Sequence, residues 1–303
     1  MTATETKANG RPGGGQQCIG DLLREKMTFS FEVFPPKEEE PLEPLLETLD
    51  NLYQYQPDFI SVTYGAGGTN VGRSREVCRS ILDSGHTVMT HYTCIGQSPE
   101  QITAGIRDYR ELGLRNVLAL RGDIPAGQQG TGGYFDHGDR LIRYIHEGFP
   151  DLCLGGAAYP ETHVEARSDI SDIAHLRSKQ DNGASFLMTQ LCYDVEAYER
   201  FVDRIRKAGV TLPVVVGVMP VLYKHGVLRM TMQNGCSIPR QLAALIGRYG
   251  ENKEDFKKAG KEFTLNLIYE YMSRGIDGLH LYSLNKYRDL AEIINDSGIR
   301  GTF

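Results

Sequence analysis

The sequence contains no apolar run of membrane-spanning length, and its N-terminus lacks the apolar core of a secretion signal. It also lacks an excess of positive charge, because the formal net charge is −6 and the isoelectric point is near 5.8. Proteins that bind nucleic acids or membrane surfaces usually show the opposite balance. We therefore expect a cytoplasmic protein that binds neither nucleic acids nor membrane surfaces. The composition does not exclude a local basic pocket for an anionic ligand.

Metal-binding and disulfide patterns are missing as well. No H-x-x-x-H or Cys/His spacing accompanies His91 or His163, so we expect these histidines to form hydrogen bonds and the protein to hold no metal. We interpret Cys94 and Cys192 as packing residues. The cysteines are scattered without a C-x-x-C pair, as expected of free thiols in a reducing cytoplasm; they are Cys18, Cys78, Cys94, Cys153, Cys192 and Cys236.

The two common nucleotide-binding fingerprints are also absent. The glycines at 65, 67 and 68 resemble a phosphate loop, but Asn70 breaks the G-x-G-x-x-G pattern of dinucleotide-binding folds. No Gly-Lys-Ser/Thr sequence of a P-loop occurs. The glycines are more typical of a tight turn after a strand.

Apolar strand-like runs alternate with amphipathic stretches along the whole chain. This pattern predicts an α/β protein, a single-domain (β/α)8 TIM barrel over residues 21–303, with residues 1–20 as a mobile tail. A doubly wound open sheet shares the alternation and is the competing fold. The predicted strands lie near 28–34, 58–64, 87–93, 115–121, 152–159, 185–191, 213–219 and 278–283.

Amphipathic segments between these runs predict the helices, with an extra helix before the last strand. Ser98 and Asp194 are typical helix-starting residues, and Gly85, Gly113 and Gly183 mark helix ends. The predicted helices lie near 41–56, 72–84, 98–113, 137–148, 167–182, 194–208, 238–273 (two helices) and 285–298.

Polar residues finish seven of the eight predicted strands, while the strand interiors are apolar. Because the strands of such a barrel end on one face, these side chains should converge on one mouth. The most informative is Glu32, which alternation places opposite Phe31 and Val33 near the end of the first strand. Burial would raise its pKa and let it deliver a proton near neutrality, whereas pairing with an Arg or Lys would make it structural.

The motifs at these strand ends resemble those of the methylenetetrahydrofolate reductase family. The resemblance runs in order from about residue 25 to 298, over segments 31–37 (FEVFPPK), 61–66 (SVTYGA), 91–94 (HYTC), 119–123 (ALRGD), 158–166 (AYPETHVEA) and 281–285 (LYSLN). It implies a TIM-barrel flavoprotein that binds FAD without a Rossmann domain. Hydride would pass from NADH or NADPH through FAD, in a ping-pong reaction, to 5,10-methylenetetrahydrofolate. The product would be the 5-methyltetrahydrofolate used in methionine synthesis.

The resemblance also implies roles for individual residues. Glu32 matches the proton donor that opens the folate ring, and Asp123 a catalytic carboxylate beside the flavin and the pterin. Gln190, Tyr282 and Lys286 match substrate positions. The positions that match FAD contacts are Thr63, Tyr64, Ala66, His91, Arg121, Gly122, Asp123, Tyr159, His163, Asp172, His175 and Lys179.

The chain departs from the family pattern at several of these positions. His175 stands where Asn is usual, Ser178 where Arg is usual, and Lys286 where Arg would grip the folate tail. Segment 223–226 (YKHG) lacks the usual aromatic and Gln pattern near the nicotinamide site. The motifs therefore indicate the folate reaction more strongly than they indicate the electron donor. Since the chain ends at Phe303, we expect no regulatory domain and no inhibition by S-adenosylmethionine.

Two other functions remain open. The chain could be a flavin-carrying subunit that a partner protein supplies with electrons, or a barrel lyase without flavin that uses Glu32 and Lys179. A homo-oligomer is expected in the leading interpretation. NADH versus NADPH and the physiological direction are left undecided by the residues.

Overall fold

The computed structural model of the chain describes residues 16–64, 71–124, 130–131 and 134–299. In chain order its elements are α1 (Ile19–Glu25), β1 (Thr28–Val33), α2 (Glu43–Tyr53), β2 (Phe59–Val62), α3 (Val71–Asp83), β3 (Val88–Thr93), α4 (Pro99–Glu111), β4 (Asn116–Leu120), α5 (Gly138–Gly148), β5 (Cys153–Ala158), α6 (Asp169–Asp181), β6 (Ala184–Thr189), α7 (Val195–Lys207), β7 (Val214–Val218), α8 (Lys224–Asn234), α9 (Arg240–Tyr249), α10 (Lys253–Ser273), β8 (Gly278–Tyr282) and α11 (Tyr287–Ser297).

The eight strands are parallel and close into a barrel, because β8 pairs with β1 as well as with β7. The fold is therefore the predicted (β/α)8 TIM barrel, and the open doubly wound sheet is excluded. Every predicted strand is present, since an apolar run buried on both faces is the sequence signature of a parallel strand. In the part of the chain that the structure describes, no helix is long and apolar enough to cross a membrane.

Strand β1 shows how alternation divides the barrel into an outer layer and an interior. Phe29, Phe31 and Val33 pack in the large core between the strands and the surrounding helices. Ser30 and Glu32 face the interior, where Ser30 Oγ lies 2.7 Å from Nδ1 of His280 on β8. The predicted assignment of the two faces is confirmed, and it places a carboxyl group inside the barrel.

Every predicted helix is present, and the predicted helix starts at Ser98 and Asp194 follow capping chemistry. Ser98 and Gln101 form a reciprocal capping box at the start of α4, and the Asp194 side chain caps α7. Segment 238–273 forms two helices, α9 and α10, as predicted. Helix α8 was not predicted, because only Val227 and Thr231 of its residues are buried and no apolar stripe marks it.

Helix α1 was also not predicted, and it closes the barrel at the amino-terminal ends of the strands. Ile19 and Leu23 join the apolar cluster inside the barrel. Asn116, the first residue of β4, accepts a hydrogen bond from the Ile19 N–H at 2.9 Å and donates one to the Gln17 carbonyl at 2.9 Å. The predicted tail boundary at residue 20 therefore falls inside a packed helix, while residues 1–15 lie outside the described residues.

Candidate active site

A cavity of about 740 Å³ opens at the carboxyl ends of the strands, where the polar residues were predicted to converge. Strand β7, which has no polar end, contributes Met219. Ala66 lies outside the described residues, and Lys286 does not line the cavity. The predicted site residues that line it are Glu32, Thr63, Tyr64, His91, Arg121, Gly122, Asp123, Tyr159, His163, Asp172, His175, Lys179, Gln190 and Tyr282.

Glu32 lies on the cavity wall and is almost completely buried. Its burial raises the pKa of the carboxyl group from 4.5 to about 8. Among the described residues, the basic side chains within 4 Å of its carboxylate are two histidines, with no Lys or Arg. The structural alternative, a Glu paired with a basic side chain, is therefore not what the structure shows.

Two histidines lie beside the Glu32 carboxyl group, and neither carries a positive charge that would stabilise its ionised form. Nε2 of His91 lies 3.5 Å from Glu32 Oε2, and Nε2 of His280 lies 4.0 Å from the same oxygen. Burial lowers the pKa of His91 to about 4 and that of His280 to about 3, so both rings are neutral near pH 7. His280 also contacts the Ser30 and Ser61 hydroxyls. This arrangement favours a protonated Glu32.

Replacing Glu32 by glutamine should change how stability depends on pH. The native carboxyl keeps its proton up to about pH 8, whereas the unfolded chain releases it above about pH 4.5. The wild type therefore loses stability as pH rises through this window, and Glu32→Gln does not. The difference in unfolding free energy between the variant and the wild type should therefore shift by about 3 kcal/mol in favour of the variant when the pH is raised from about 5 to about 8. Urea unfolding at both pH values, with exposed Glu262→Gln as control, measures the difference; parallel pH profiles would refute it.

Tyr282 crosses the barrel beside Glu32, because the two residues are register partners on β8 and β1. Its hydroxyl donates to the Thr189 carbonyl at 3.1 Å. The Tyr282 side chain fits in this position only because residue 217 is glycine. A Cβ at residue 217 would lie 2.6 Å from the Tyr282 hydroxyl oxygen. Tyr282 is thereby fixed in one orientation over the cavity.

Gln190 is anchored from both sides of its amide group. Its Oε1 accepts from the Leu191 N–H at 2.8 Å, and its Nε2 donates to Asn234 Oδ1 at 2.8 Å. Asn234 and Met230 come from α8 and line the cavity. Sequence reasoning missed both, because the helix that carries them has no clear apolar periodicity.

Arg121 and Asp123 flank Gly122 at the cavity, and Arg121 pairs with a carboxylate from another loop. The Arg121 guanidinium forms a bidentate pair with Glu165, with Nη2 3.0 Å from Oε1, and its Nε donates to the Gly122 carbonyl. Gly122 has φ +89°, which turns the backbone so that Asp123 is exposed at the mouth. Asp123 is thus a carboxylate at the cavity rim.

Lys179 reaches the cavity from α6 across the backbone of β5. Its Nζ donates to the Ala157 carbonyl at 2.5 Å. Its stem lies against Gly156, where a Cβ would be 2.9 Å from Lys179 Cδ. Burial lowers the pKa of Lys179, and the carboxylates of Asp172 and Asp139 oppose that shift. Lys179 is a partly buried cation with negative charge nearby.

The loop between β5 and α6 is held by hydrogen bonds around His163. The His163 N–H donates to Asp172 Oδ2 at 3.1 Å, and Nδ1 of His163 accepts from the Glu165 N–H at 3.0 Å. The ring meets that of Tyr159 edge-on, with centroids 4.4 Å apart. His163 and Asp172 therefore shape this wall of the cavity, and the hydrogen-bonding role expected of His163 is seen.

His175 and Ser178 surround a buried carboxylate that sequence reasoning did not identify. Ser178 Oγ donates to Asp139 Oδ2 at 2.6 Å, and Nδ1 of His175 lies 3.9 Å from the same oxygen. His137 stands 4.5 Å from His175 between ring centroids. Asp139 lies in the first turn of the amphipathic helix α5. An acidic residue at that position is usually solvated, so the sequence did not mark it as a buried group.

Lys286 lies apart from the other predicted substrate residues. It is exposed, and its ammonium sits 3.8 Å from the centroid of the Tyr223 ring. The Tyr223 hydroxyl donates to Asp289 at 2.6 Å. Any contact between Lys286 and a substrate would therefore be made outside the described cavity.

The cavity walls carry polar groups that suit a large polar ligand. Within the described ranges, His91 Nε2, Thr93 Oγ1 and Asp139 Oδ1 are buried without a hydrogen-bond partner although their residues line the cavity. In the same part of the chain, no three His, Cys, Asp or Glu side chains are grouped to hold a metal ion. Aromatic rings, cations and hydroxyls line this same cavity, as a large ligand with aromatic and polar parts would require.

Comparison with known proteins places this chain in a family. The family model described as methylenetetrahydrofolate reductase matches residues 18–298. The chain is 36% identical over 286 residues to methylenetetrahydrofolate reductase (NADH) 1 of Arabidopsis thaliana, covering 89% of this chain and 48% of that protein. It is 32% identical over 276 residues to 5,10-methylenetetrahydrofolate reductase of Escherichia coli K12, covering 91% of this chain and 92% of that protein.

The coverage differs between these relatives. The chain spans about half the length of the plant and fission-yeast relatives that it matches. Among solved structures, an uncharacterised Clostridium thermocellum protein, described as binding two copies of 5-methyl-5,6,7,8-tetrahydrofolic acid, shares the fold with a TM-score of 0.67 and 17% identity, covering 93% of this chain and 99% of that one. Because the family model extends over nearly all of the barrel and the match to the bacterial relative covers 92% of that protein, the chain belongs to the methylenetetrahydrofolate reductase family.

Proposed function

We propose that the protein reduces 5,10-methylenetetrahydrofolate to 5-methyltetrahydrofolate, with bound FAD and with NADH or NADPH as electron donor. The observation that carries the proposal is the buried Glu32 carboxyl, whose pKa of about 8 keeps a transferable proton at the cavity wall. The names of the plant and bacterial relatives support the same reaction. "NADH" in the name of the Arabidopsis relative favours NADH as donor.

Glu32 supplies the proton that the reaction needs. The five-membered ring of the folate opens when one of its nitrogens is protonated, which leaves a carbon able to accept hydride. A carboxylic acid with a pKa near 8 still holds its proton at neutral pH, so it has one to give to a nitrogen of the folate. Neutral His91 and His280 do not stabilise the carboxylate by charge before transfer.

The remaining predicted residues are proposed to hold and orient the ligands. When bound, FAD would supply the hydride-transfer chemistry. Lys179 and Arg121 would face its polar portions, since both cations line the cavity. Anchored Gln190 and Tyr282 would orient the folate next to Glu32. Lys286 would contact only a part of the substrate that extends beyond the mouth.

Asp123→Asn is expected to raise the reduction potential of the bound flavin. The exposed carboxylate at the rim places negative charge near the proposed flavin site, which disfavours an anionic reduced flavin. Removing one such charge in a solvated setting should raise the potential by on the order of 10–30 mV. A dye-equilibrated titration measures it, with exposed Asp203→Asn as control; a lower potential in the Asp123 variant would contradict the electrostatic role.

The absorption spectrum of the purified protein, followed by anaerobic mixing with each nicotinamide, tests the proposed function. A yellow protein that NADH or NADPH bleaches, and that the folate substrate then recolours, supports it. A colourless protein that stays inactive with added FAD would overturn it in favour of the lyase. A yellow protein that neither nicotinamide bleaches would indicate a subunit that a partner protein reduces.

A further inference from the structure

Two cysteines meet at the amino-terminal end of the barrel, opposite the cavity mouth. Cys18 is the N-cap residue of α1, and Cys153 is the first residue of β5. Cys18 packs against the apolar cluster inside the barrel that contains Cys153. The Gly20 N–H also donates to Cys153 Sγ at 3.3 Å, so α1 docks directly on this sulfur. The two residues are 135 positions apart in the chain, and only the fold brings them together.

The segment that carries Cys18 is held firmly against the barrel. The Gln16 side chain accepts from the Val88 N–H and donates to the His86 carbonyl, both at 3.0 Å. Asn116 binds the backbone of residues 17 and 19. At Gly20 a Cβ would lie 2.7 Å from Ser185 Cβ, so the helix is as close to β6 as it can come. The thiol pair is therefore part of the packed structure.

The two thiols are chemically unequal. The hydrogen bond from Cys153 lowers the pKa of Cys18 to about 7 against the opposing effect of burial, while the same bond and burial raise the pKa of Cys153. Cys18 is partly exposed and Cys153 is buried. Burial raises the pKa of the other four cysteines, Cys78, Cys94, Cys192 and Cys236, to about 12. A reachable thiolate beside a buried thiol is the arrangement of a peroxide-reactive pair.

We propose that Cys18 and Cys153 are an oxidation site at which a hydroperoxide closes a disulfide between the N-terminal segment and β5. The Cys18 thiolate attacks the peroxide, the O–O bond breaks, and Cys18 becomes a sulfenic acid as hydroxide, or alkoxide from an organic peroxide, leaves. The Cys153 sulfur then attacks the Cys18 sulfur, forming the S–S bond. The sulfenic hydroxyl leaves with the Cys153 proton as water. Two thiols lose two electrons, and the peroxide gains them.

The disulfide would tie α1 to the barrel wall without reaching the cavity. It closes a loop of more than a hundred residues, and such a cross-link restricts the unfolded chain strongly. We therefore expect the oxidised protein to melt several degrees higher than the reduced protein. Because the pair lies at the opposite end of the strands from Glu32, folate turnover should be unchanged.

Treatment of the reduced protein with about one equivalent of hydrogen peroxide at about pH 7 tests this proposal. After alkylation, the intact mass should show two protected thiols and the loss of two hydrogen atoms. A digest should contain a peptide pair that joins residues 18 and 153 and that dithiothreitol separates. Without peroxide, iodoacetamide should label Cys18 at least about tenfold faster than Cys78.

Matched variants distinguish an oxidation site from ordinary packing of two thiols. Cys18→Ser should abolish the cross-link, and Cys153→Ala should stop the reaction at a sulfenic acid on Cys18 that dimedone traps. Cys78→Ala should leave cross-linking unchanged. If Cys153→Ala does not fold, the pH dependence of wild-type cross-linking, rising through about pH 7, serves in its place. Oxidation that begins at another cysteine, or equal labelling of Cys18 and Cys78, would overturn the proposal.

Discussion

Glu32→Gln should reduce folate turnover by on the order of a hundredfold or more while leaving reduction of the flavin by NADH or NADPH nearly intact. Glutamine keeps the shape of the side chain and its place between His91 and His280, but it has no acidic proton to give. The reductive half of the proposed reaction needs no proton from this side chain. The loss should therefore fall on the folate half alone.

The geometry explains why no neighbour should replace Glu32. His91 Nε2 and His280 Nε2 lie 3.5 and 4.0 Å from Glu32 Oε2, but burial keeps both rings neutral. The Tyr282 hydroxyl is committed to the Thr189 carbonyl, and its pKa is raised well above its ordinary value by burial. Within this group of four side chains, Glu32 is the one whose pKa lies near neutrality.

Stopped-flow absorbance separates the two half-reactions. Flavin bleaching by the nicotinamide and recolouring by the folate are timed in wild type, Glu32→Gln and the control Glu262→Gln, whose side chain is exposed on α10. The control should match wild type in both. An equal loss in both half-reactions of Glu32→Gln would show that the residue acts in binding or folding, and the proton-donor role would fail.

Gly260→Ala should destabilise the protein by about 4 kcal/mol or more, which in the extreme prevents folding. Gly260 lies in the middle of α10, where a Cβ would stand 1.7 Å from the Val221 carbonyl oxygen. One turn later, Thr264 Oγ1 accepts from the Val221 N–H at 3.0 Å. The helix thus packs backbone against backbone on the loop after β7. A methyl group at 260 forces the two apart, since a backbone carbonyl has no other rotamer to adopt.

Gly247→Ala is the matched control, because Gly247 also lies inside a helix but no atom is within 4 Å of its added Cβ. Intrinsic helix propensity favours alanine at both sites, so Gly247→Ala should be neutral or stabilising by about 0.5–1 kcal/mol. Urea unfolding of the two variants gives the comparison. Similar stability of both would mean that the close approach at Gly260 does not hold α10 in place.

Much of the fold and of the site could be predicted because the local pattern carried the signal. Strands such as β1 are buried on both faces, and their apolar runs are legible without knowledge of their partners. Glu32 and Gln190 were found because each interrupts or ends such a run. Helix α8 and its Asn234 were missed, because a helix that buries only two residues shows little periodicity.

The contacts that individual site residues make could not be predicted. Arg121 pairs with Glu165 rather than Asp123, and Lys286 lies over Tyr223 outside the cavity. Each contact depends on how a loop turns after its strand, for example at Gly122 with its positive φ. Sequence spacing carries no information on that direction.

By itself the sequence determined the alternation of strands and helices, the convergence of polar strand ends and the motifs of the family, because these follow from residue type and order. The tertiary structure alone decided the charge state of Glu32, since its pKa depends on burial beside two neutral histidines that arrive from β3 and β8. It likewise decided that Cys18 meets Cys153 and that Gly260 touches Val221. Such contacts join distant parts of the chain, and only closure of the barrel brings them within reach.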